Sequence, residues 1–115
     1  MSVVIYHNPR CGKSRSTLEL LREKGIEPAI VEYLKTPPTA AELEDILGKL
    51  GIEPRELMRK GEAVYREQGL ADPSLDRAAL IAAMAANPIL IERPIVIASG
   101  KAALGRPPEN VLAIL

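Results

Sequence analysis

Residues 3–33 have the sequence VVIYHNPRCGKSRSTLELLREKGIEPAIVEY, and their pattern predicts a strand, a helix and a second strand. The first run, 3–7, is rich in β-branched residues and predicts a buried strand. Residues 13–24 carry apolar side chains at helical spacing, and Gly25 is a natural end for that helix. Residues 29–33 predict the second strand. Elements of these lengths favour a βαβ unit with parallel strands.

A helical block is predicted over about residues 39–87. Thr39 and Glu42 match a capping box, and a stripe of apolar residues follows them as far as Gly51. A block of this kind, placed between strands, is an insertion into a sheet-containing fold. Further helices are predicted after Pro54, over about 62–68, and from Asp76 to Asn87.

The last third of the chain returns to strands. Residues 94–98 and 101–105 flank Ser99-Gly100, which is a two-residue hairpin signal. The complete order is βαβ, helices, then ββα, so we expect an α/β fold of thioredoxin-like topology with a helical insertion, in a single domain of residues 1–115. A final helix is predicted from Pro107 or Pro108, with Val111, Leu112, Ile114 and Leu115 facing the core.

The composition excludes several classes of protein. Trp and Phe are absent, so we expect an aliphatic core. Lys and Arg together number 15, as do Asp and Glu, and a neutral balance argues against a nucleic-acid binder. No apolar run has the length of a signal peptide core or a membrane span. The single cysteine suits a reducing compartment, so we expect a soluble cytoplasmic protein.

Cys11 is the candidate nucleophile, because it lies in a loop directly before the first predicted helix. The N–H groups at a helix N-terminus favour a thiolate. Arg10, Lys13 and Arg15 add positive charge, and the first acidic residue is Glu19. We therefore expect a Cys11 pKa below the ordinary thiol value of about 8.5. The alternative is a small buried apolar cysteine without chemistry.

The neighbours of Cys11 are expected to support its thiolate. Ser14 can donate a hydrogen bond to the sulfur, and His7 can do the same or orient a neighbour. Gly12 and Arg15 complete this predicted supporting set. Ser14 stands where a second cysteine would complete a C-x-x-C pair, so a redox cycle must take its second thiol from another molecule.

Two other interpretations of this loop fail. Gly12-Lys13-Ser14 resembles the end of a phosphate-binding P-loop, but His7 stands where the first glycine is required. One cysteine and one histidine cannot form a structural zinc site. We therefore expect neither a nucleotide site nor a metal site here.

Residues 7–15, HNPRCGKSR, closely resemble the active-site segment of the glutaredoxin-linked arsenate reductases. Several spaced matches in the same order make the resemblance specific, and it implies a thioredoxin-like fold with a helical insertion. The chain ends at Leu115, as in a shorter, reductase-like branch of that family. The other matching segments are YLKTPP (33–38), ELMR (56–59), NPILIERPIV (87–96) and GRPPE (105–109).

The resemblance implies a mechanism and a set of residues. In that family the cysteine attacks arsenate, glutathione joins the adduct, and glutaredoxin resolves the mixed disulfide. Cys11 is then the nucleophile, and Arg59, Arg93 and Arg106 hold the oxyanion, for which guanidinium forks are suited. Pro94 resembles the cis-proline of thioredoxin-like folds, which would place Arg93 near Cys11.

The implied partners are arsenate, glutathione as a co-substrate, and glutaredoxin. We expect no bound cofactor, no membrane or nucleic acid partner, and a monomer. Two alternatives keep the same fold and thiol. One is a redox-regulatory module that reduces no arsenate, and the other is a thiol-transfer protein acting on glutathionylated substrates.

Overall fold

Strand β1 (Val3–Tyr6) lies inside a four-stranded sheet in the computed structural model, which describes residues 2–115. It pairs in parallel with β2 (Ala29–Val31) and antiparallel with β3 (Ile95–Ala98). β3 pairs antiparallel with β4 (Lys101–Leu104), so the strand order is β2-β1-β3-β4. The parallel βαβ unit is confirmed, although β1 and β2 end one and two residues before their predicted ends.

Helix α1 (Gly12–Glu23) connects β1 to β2. Leu18 and Leu21 lie on its buried face, as their spacing predicts. Gly25 follows the helix with φ of 78°, in the left-handed region that glycine enters without a steric penalty. The end of the predicted helix is therefore confirmed.

The hairpin between β3 and β4 turns through Ser99 and Gly100. Their φ angles are 53° and 75°, so both central residues have the positive φ of a type I′ turn. This turn fixes the register in which Ile95 lies opposite Leu104. The predicted hairpin is confirmed.

One core packs α1 and the final segment against the sheet. Its members are buried aliphatic residues, as the absence of Trp and Phe predicts. The prediction of an exclusively aliphatic core is nevertheless wrong, because Tyr6 and Tyr33 are also buried. The cluster consists of Val3, Ile5, Leu18, Leu21, Val96, Ala98 and Val111.

The segment between β2 and β3 is helical. Its first helix, α2, begins after Thr39, whose side chain accepts a hydrogen bond from the Glu42 N–H while the Glu42 carboxylate accepts one from the Thr39 N–H. The predicted capping box is confirmed, and α2 packs against α4. The elements are α2 (Ala40–Leu50), α3 (Ala63–Glu67), α4 (Arg77–Ala86) and 3-10 helices Pro54–Leu57 and Pro88–Leu90.

The final element, Pro108–Ile114, is a 3-10 helix. With three residues per turn, side chains at i and i+3 share a face, so Val111 and Ile114 lie on the side that packs against the core. Leu112 is rotated away from that side and is 39% exposed. The expectation that Leu112 faces the core is therefore wrong.

The elements form the predicted α/β, thioredoxin-like arrangement with its helical insertion. Contacts group the chain into two compact units, one of residues 2–36 with Arg93–Leu115 and one of Pro37–Glu92. The assignment to a single domain stays a prediction. Within residues 2–115, no helix has the length and apolar character needed to cross a membrane.

Candidate active site

Cys11 is the N-cap residue of α1, with extended backbone angles (φ −93°, ψ 123°). Its own N–H donates to the Asn8 carbonyl at 3.0 Å, and its carbonyl accepts from the Arg15 N–H at 3.0 Å. These bonds fix the loop and start the helix at the residue after the cysteine. The cysteine residue is partly exposed.

The surroundings of Cys11 lower its pKa. Burial alone would raise the pKa, but stabilising contacts outweigh it. The backbone N–H of Ser14 hydrogen-bonds to the sulfur, as does that of Lys13. The guanidinium of Arg93 contributes both its charge and a side-chain hydrogen bond. The thiolate is thus stabilised by the start of α1 and by one arginine from the distant β3 segment.

Three strand ends meet at the end of the sheet where this loop begins. Tyr6, the last residue of β1, is paired with Ile95, the first residue of β3. Ile95 is also paired with Leu104, the last residue of β4. The segments that follow β1, precede β3 and follow β4 therefore lie at one end of the sheet, and they carry Cys11, Arg93 and Arg106 respectively.

The Arg93-Pro94 peptide bond is cis, as the resemblance implies. The Pro94 carbonyl accepts a hydrogen bond from the Gly105 N–H at 2.9 Å. A Cβ placed on Gly105 would lie 2.5 Å from Oγ1 of Thr17 and 2.7 Å from Cγ of Pro94. Gly105 is thus required for close packing beside α1, the helix that begins after Cys11. A glycine at the end of a strand can indicate a close approach of this kind, but the sequence does not specify which residues approach it.

Ser14 acts on the sulfur through its backbone rather than its hydroxyl. The hydroxyl oxygen is fully buried, lies 2.6 Å from Nδ1 of His7 and accepts the Asn8 N–H at 3.0 Å. His7 is also buried, and this burial lowers its pKa, as do the charges of Arg22 and Arg15, against an opposing effect of Glu32. The contact between His7 and Ser14 fits the second of the two roles predicted for His7, which is to orient a neighbour, and that role stays a prediction.

Arg15 and Gly12 shape the loop around the cysteine. Nη1 of Arg15 donates to the Pro9 carbonyl at 3.0 Å, so its guanidinium braces the loop. Gly12 begins α1, and a Cβ on it would lie 3.9 Å from Nη2 of Arg15. Their supporting roles for the thiolate stay predictions.

Arg106 follows Gly105 at the same end of the sheet as Arg93. Its carbonyl accepts a hydrogen bond from Nδ2 of Asn110 at 3.1 Å, and its peptide bond to Pro107 is cis. The hydrogen bond from Asn110 holds the backbone carbonyl of Arg106. That the guanidinium binds an oxyanion stays a prediction.

Arg59 belongs to the helical unit of residues Pro37–Glu92. Its guanidinium forms ion pairs with Glu62 and Glu92. Its predicted role toward an oxyanion is not tested by these contacts. Among residues 2–115, no three His, Cys, Asp or Glu side chains are grouped as metal ligands.

The lowered pKa of Cys11 predicts fast alkylation at neutral pH. The iodoacetamide rate should reach half its maximum at a pH below about 8.5, the ordinary thiol value, because the folded protein holds more thiolate there. The control is the same chain unfolded in guanidinium chloride, where the contacts with Ser14 and Arg93 are lost. Equal midpoints in both states would contradict the prediction.

Ser14→Ala should destabilise the protein by about 1–3 kcal/mol, because it leaves His7 Nδ1 and the Asn8 N–H without their buried partner. Urea unfolding would measure the loss. Ser16→Ala, an exposed serine on the same helix, is the matched control and should change stability by less than about 0.5 kcal/mol. Equal effects of the two substitutions would contradict the role of the buried hydroxyl.

Comparisons with known proteins identify the family of this chain. Residues 6–114 match the ArsC family. The protein YfgD of Escherichia coli is 60% identical over 98% of this chain and 96% of its own length. An arsenate reductase of Neisseria meningitidis is 54% identical, over 98% of this chain and 97% of its own.

Solved structures show the same likeness. An arsenate reductase from Vibrio cholerae superposes with a TM-score of 0.98 at 54% identity, and the match covers 100% of this chain and 98% of that one. Both the match over residues 6–114 and these full-length relatives lead to one assignment. The chain belongs to the ArsC family.

Proposed function

We propose that this protein reduces arsenate to arsenite, with Cys11 as the nucleophile. The observation that supports this most directly is the Cys11 thiol, whose pKa is lowered by the start of α1 and by Arg93 in a chain of the ArsC family. The anionic sulfur can act as the nucleophile, and the adjacent guanidinium can bind the oxyanion that is attacked. Relatives of near-complete overlap are named arsenate reductases.

In the first step the Cys11 thiolate attacks arsenic(V). A sulfur–arsenic bond forms, an arsenic–oxygen bond breaks, and that oxygen leaves as water with protons taken from solution. Negative charge increases on the remaining oxygens during attack, and guanidinium forks stabilise such charge. We assign this role to Arg93 and Arg106. On the family resemblance, we assign to Arg59 the binding of the oxyanion before attack.

Glutathione is the second thiol that the reduction needs, and it reacts in the second step. Its thiol loses a proton to solution and attacks the Cys11 sulfur, so a sulfur–sulfur bond forms. The sulfur–arsenic bond breaks, its electron pair passes to arsenic, and arsenic(III) leaves as arsenite. The two sulfurs, those of Cys11 and glutathione, are oxidised to a mixed disulfide. An external thiol is needed because Cys11 is the only cysteine and Ser14 replaces a second one.

Glutaredoxin completes the cycle by thiol–disulfide exchange. Its thiolate attacks the glutathione sulfur of the mixed disulfide, so Cys11 leaves as a thiolate and glutaredoxin becomes glutathionylated. This chemistry requires a reducing compartment, which supports the cytoplasm as the place of action. We propose that the monomer is the active form, and sedimentation at assay concentration tests this.

The test is an arsenite-producing assay with glutathione and glutaredoxin, each omitted in turn, and with Cys11→Ser as the background. We expect arsenite only when the intact thiol and both reductants are present. Turnover no faster than the Cys11→Ser background would contradict the proposal. Reduction of a glutathionylated peptide without arsenate turnover would favour the thiol-transfer alternative.

A further inference from the structure

Two glutamates contact the guanidinium of Arg59. Nη2 of Arg59 lies 3.1 Å from Oε2 of Glu62, and Nε lies 3.9 Å from Oε1 of Glu92. All three side chains are only about one-quarter exposed (25%, 26% and 25%), so solvent screens these ion pairs less than fully exposed ones. The two glutamates contact the edge of the guanidinium that carries Nε and Nη2. The other edge, formed by Nη1 and Nη2, has the geometry for two parallel hydrogen bonds to an oxyanion.

The backbone holds both glutamates in register with Arg59. The Arg59 N–H donates to the Leu90 carbonyl at 2.7 Å, and the Glu92 N–H donates to the Leu57 carbonyl at 2.8 Å. The Glu62 N–H donates to the Arg59 carbonyl at 3.2 Å and closes a turn. Each carboxylate is therefore attached to the same hydrogen-bonded frame as the arginine it contacts.

We propose that Glu62, assisted by Glu92, is a positioning residue that orients the Arg59 guanidinium for the oxyanion. This inference rests on the proposed function, in which Arg59 binds arsenate. Binding orders a long side chain at a cost in conformational entropy. A side chain that is already held in one orientation loses less conformational entropy on binding. The Glu62 carboxylate also repels a bound arsenate. Removing this repulsion would strengthen arsenate binding, whereas removing the orientation of the Arg59 guanidinium weakens it.

These two effects change arsenate affinity in opposite directions, so two substitutions of Glu62 can test the inference. Glu62→Ala removes both the charge and the contact, and should raise KM for arsenate about three- to tenfold with kcat within about twofold. Glu62→Gln keeps an oxygen that accepts from Nη2, and should bring KM back to within about twofold of the unaltered protein. A structural defect alone would not raise KM while leaving kcat unchanged in Glu62→Ala, together with a KM restored in Glu62→Gln.

A second readout measures binding without turnover. The arsenate concentration that half-protects Cys11 from iodoacetamide should rise with Glu62→Ala by the same factor as KM. A failure of the proposed reduction would show separately, as absence of arsenite from the unaltered protein. Glu44→Ala is the matched control, since it breaks the 2.8 Å ion pair with Arg77 in the same unit. An unchanged or lower half-protecting concentration for Glu62→Ala would overturn the inference.

Discussion

Arg93→Gln should lower kcat/KM for arsenate about 10²–10³-fold, the usual loss when a preorganised donor to developing charge is removed. The same substitution should raise the pKa of Cys11, because Arg93 contributes both a positive charge and a hydrogen bond to the sulfur. Both effects act in one direction at neutral pH, since less thiolate is present and the oxyanion loses a partner. Glutamine keeps most of the side-chain volume, so repacking is minimal.

Two controls separate charge, geometry and mere proximity. Arg93→Lys keeps the charge but not the planar fork, so its turnover should lie between those of the arginine and glutamine proteins. Arg10→Gln removes an exposed charge adjacent to Cys11 in sequence, and turnover should stay within about twofold. The pH dependence of alkylation gives the thiol pKa of each variant independently of arsenate. An Arg10→Gln defect equal to that of Arg93→Gln would contradict the assignment.

The elements that the sequence predicts correctly are those with local signals. The capping box of Thr39 and Glu42 involves residues three apart, and its two hydrogen bonds form at 3.1 Å. The Ser99-Gly100 turn similarly needs only two residues able to adopt positive φ. Signals of this kind are complete within a few residues, so tertiary packing does not override them.

The charge that stabilises the thiolate could not be located from local sequence. Arg10, Lys13 and Arg15 are near Cys11 in the chain, yet Arg15 donates to the Pro9 carbonyl and Lys13 contributes its backbone N–H. The guanidinium that hydrogen-bonds to the sulfur is that of Arg93, brought there by β1–β3 pairing. Only the family resemblance pointed to it, because side-chain direction depends on packing between distant segments.

The C-terminal segment shows the same limit for a helix. Proline signals predicted where it starts, but not that it is a 3-10 helix whose tighter period turns Leu112 outward. The close approach at Gly105 was also missed, because its cause lies on α1 and beside the cis-proline rather than in the strand that it follows. These features require knowledge of which elements pack together.

Gly105→Ala should destabilise the protein by about 2–3 kcal/mol, or roughly 10 °C in Tm. The added methyl would lie 2.5 Å from Oγ1 and 3.1 Å from Cγ2 of Thr17, and 2.7 Å from Cγ of Pro94. Neither neighbour can yield easily, since Thr17 is fully buried with its hydroxyl donating to the Lys13 carbonyl at 2.8 Å, and the proline ring is rigid. Thermal unfolding at fixed pH measures the loss.

Two further variants identify the cause of that loss. Gly48→Ala, inside α2 with open space around the position, should instead stabilise the protein by up to about 1 kcal/mol, because alanine is the better helix former. Combining Gly105→Ala with Thr17→Ala should recover part of the lost stability, since two of the three short contacts disappear. Strictly additive losses in the double variant would contradict a steric origin.

Gly105→Ala should also weaken the site, not only the fold. Gly105 hydrogen-bonds to Pro94, and Pro94 follows the arginine that stabilises the Cys11 thiolate, so a displaced proline moves Arg93. A shift of about 1 Å at such a position can cost up to 10²-fold in rate. The expected signature is a raised Cys11 pKa in protein that is still fully folded at 15 °C, seen as slower alkylation at neutral pH. An unchanged alkylation profile in that folded variant would show that the glycine serves packing alone and does not hold the arginine in place.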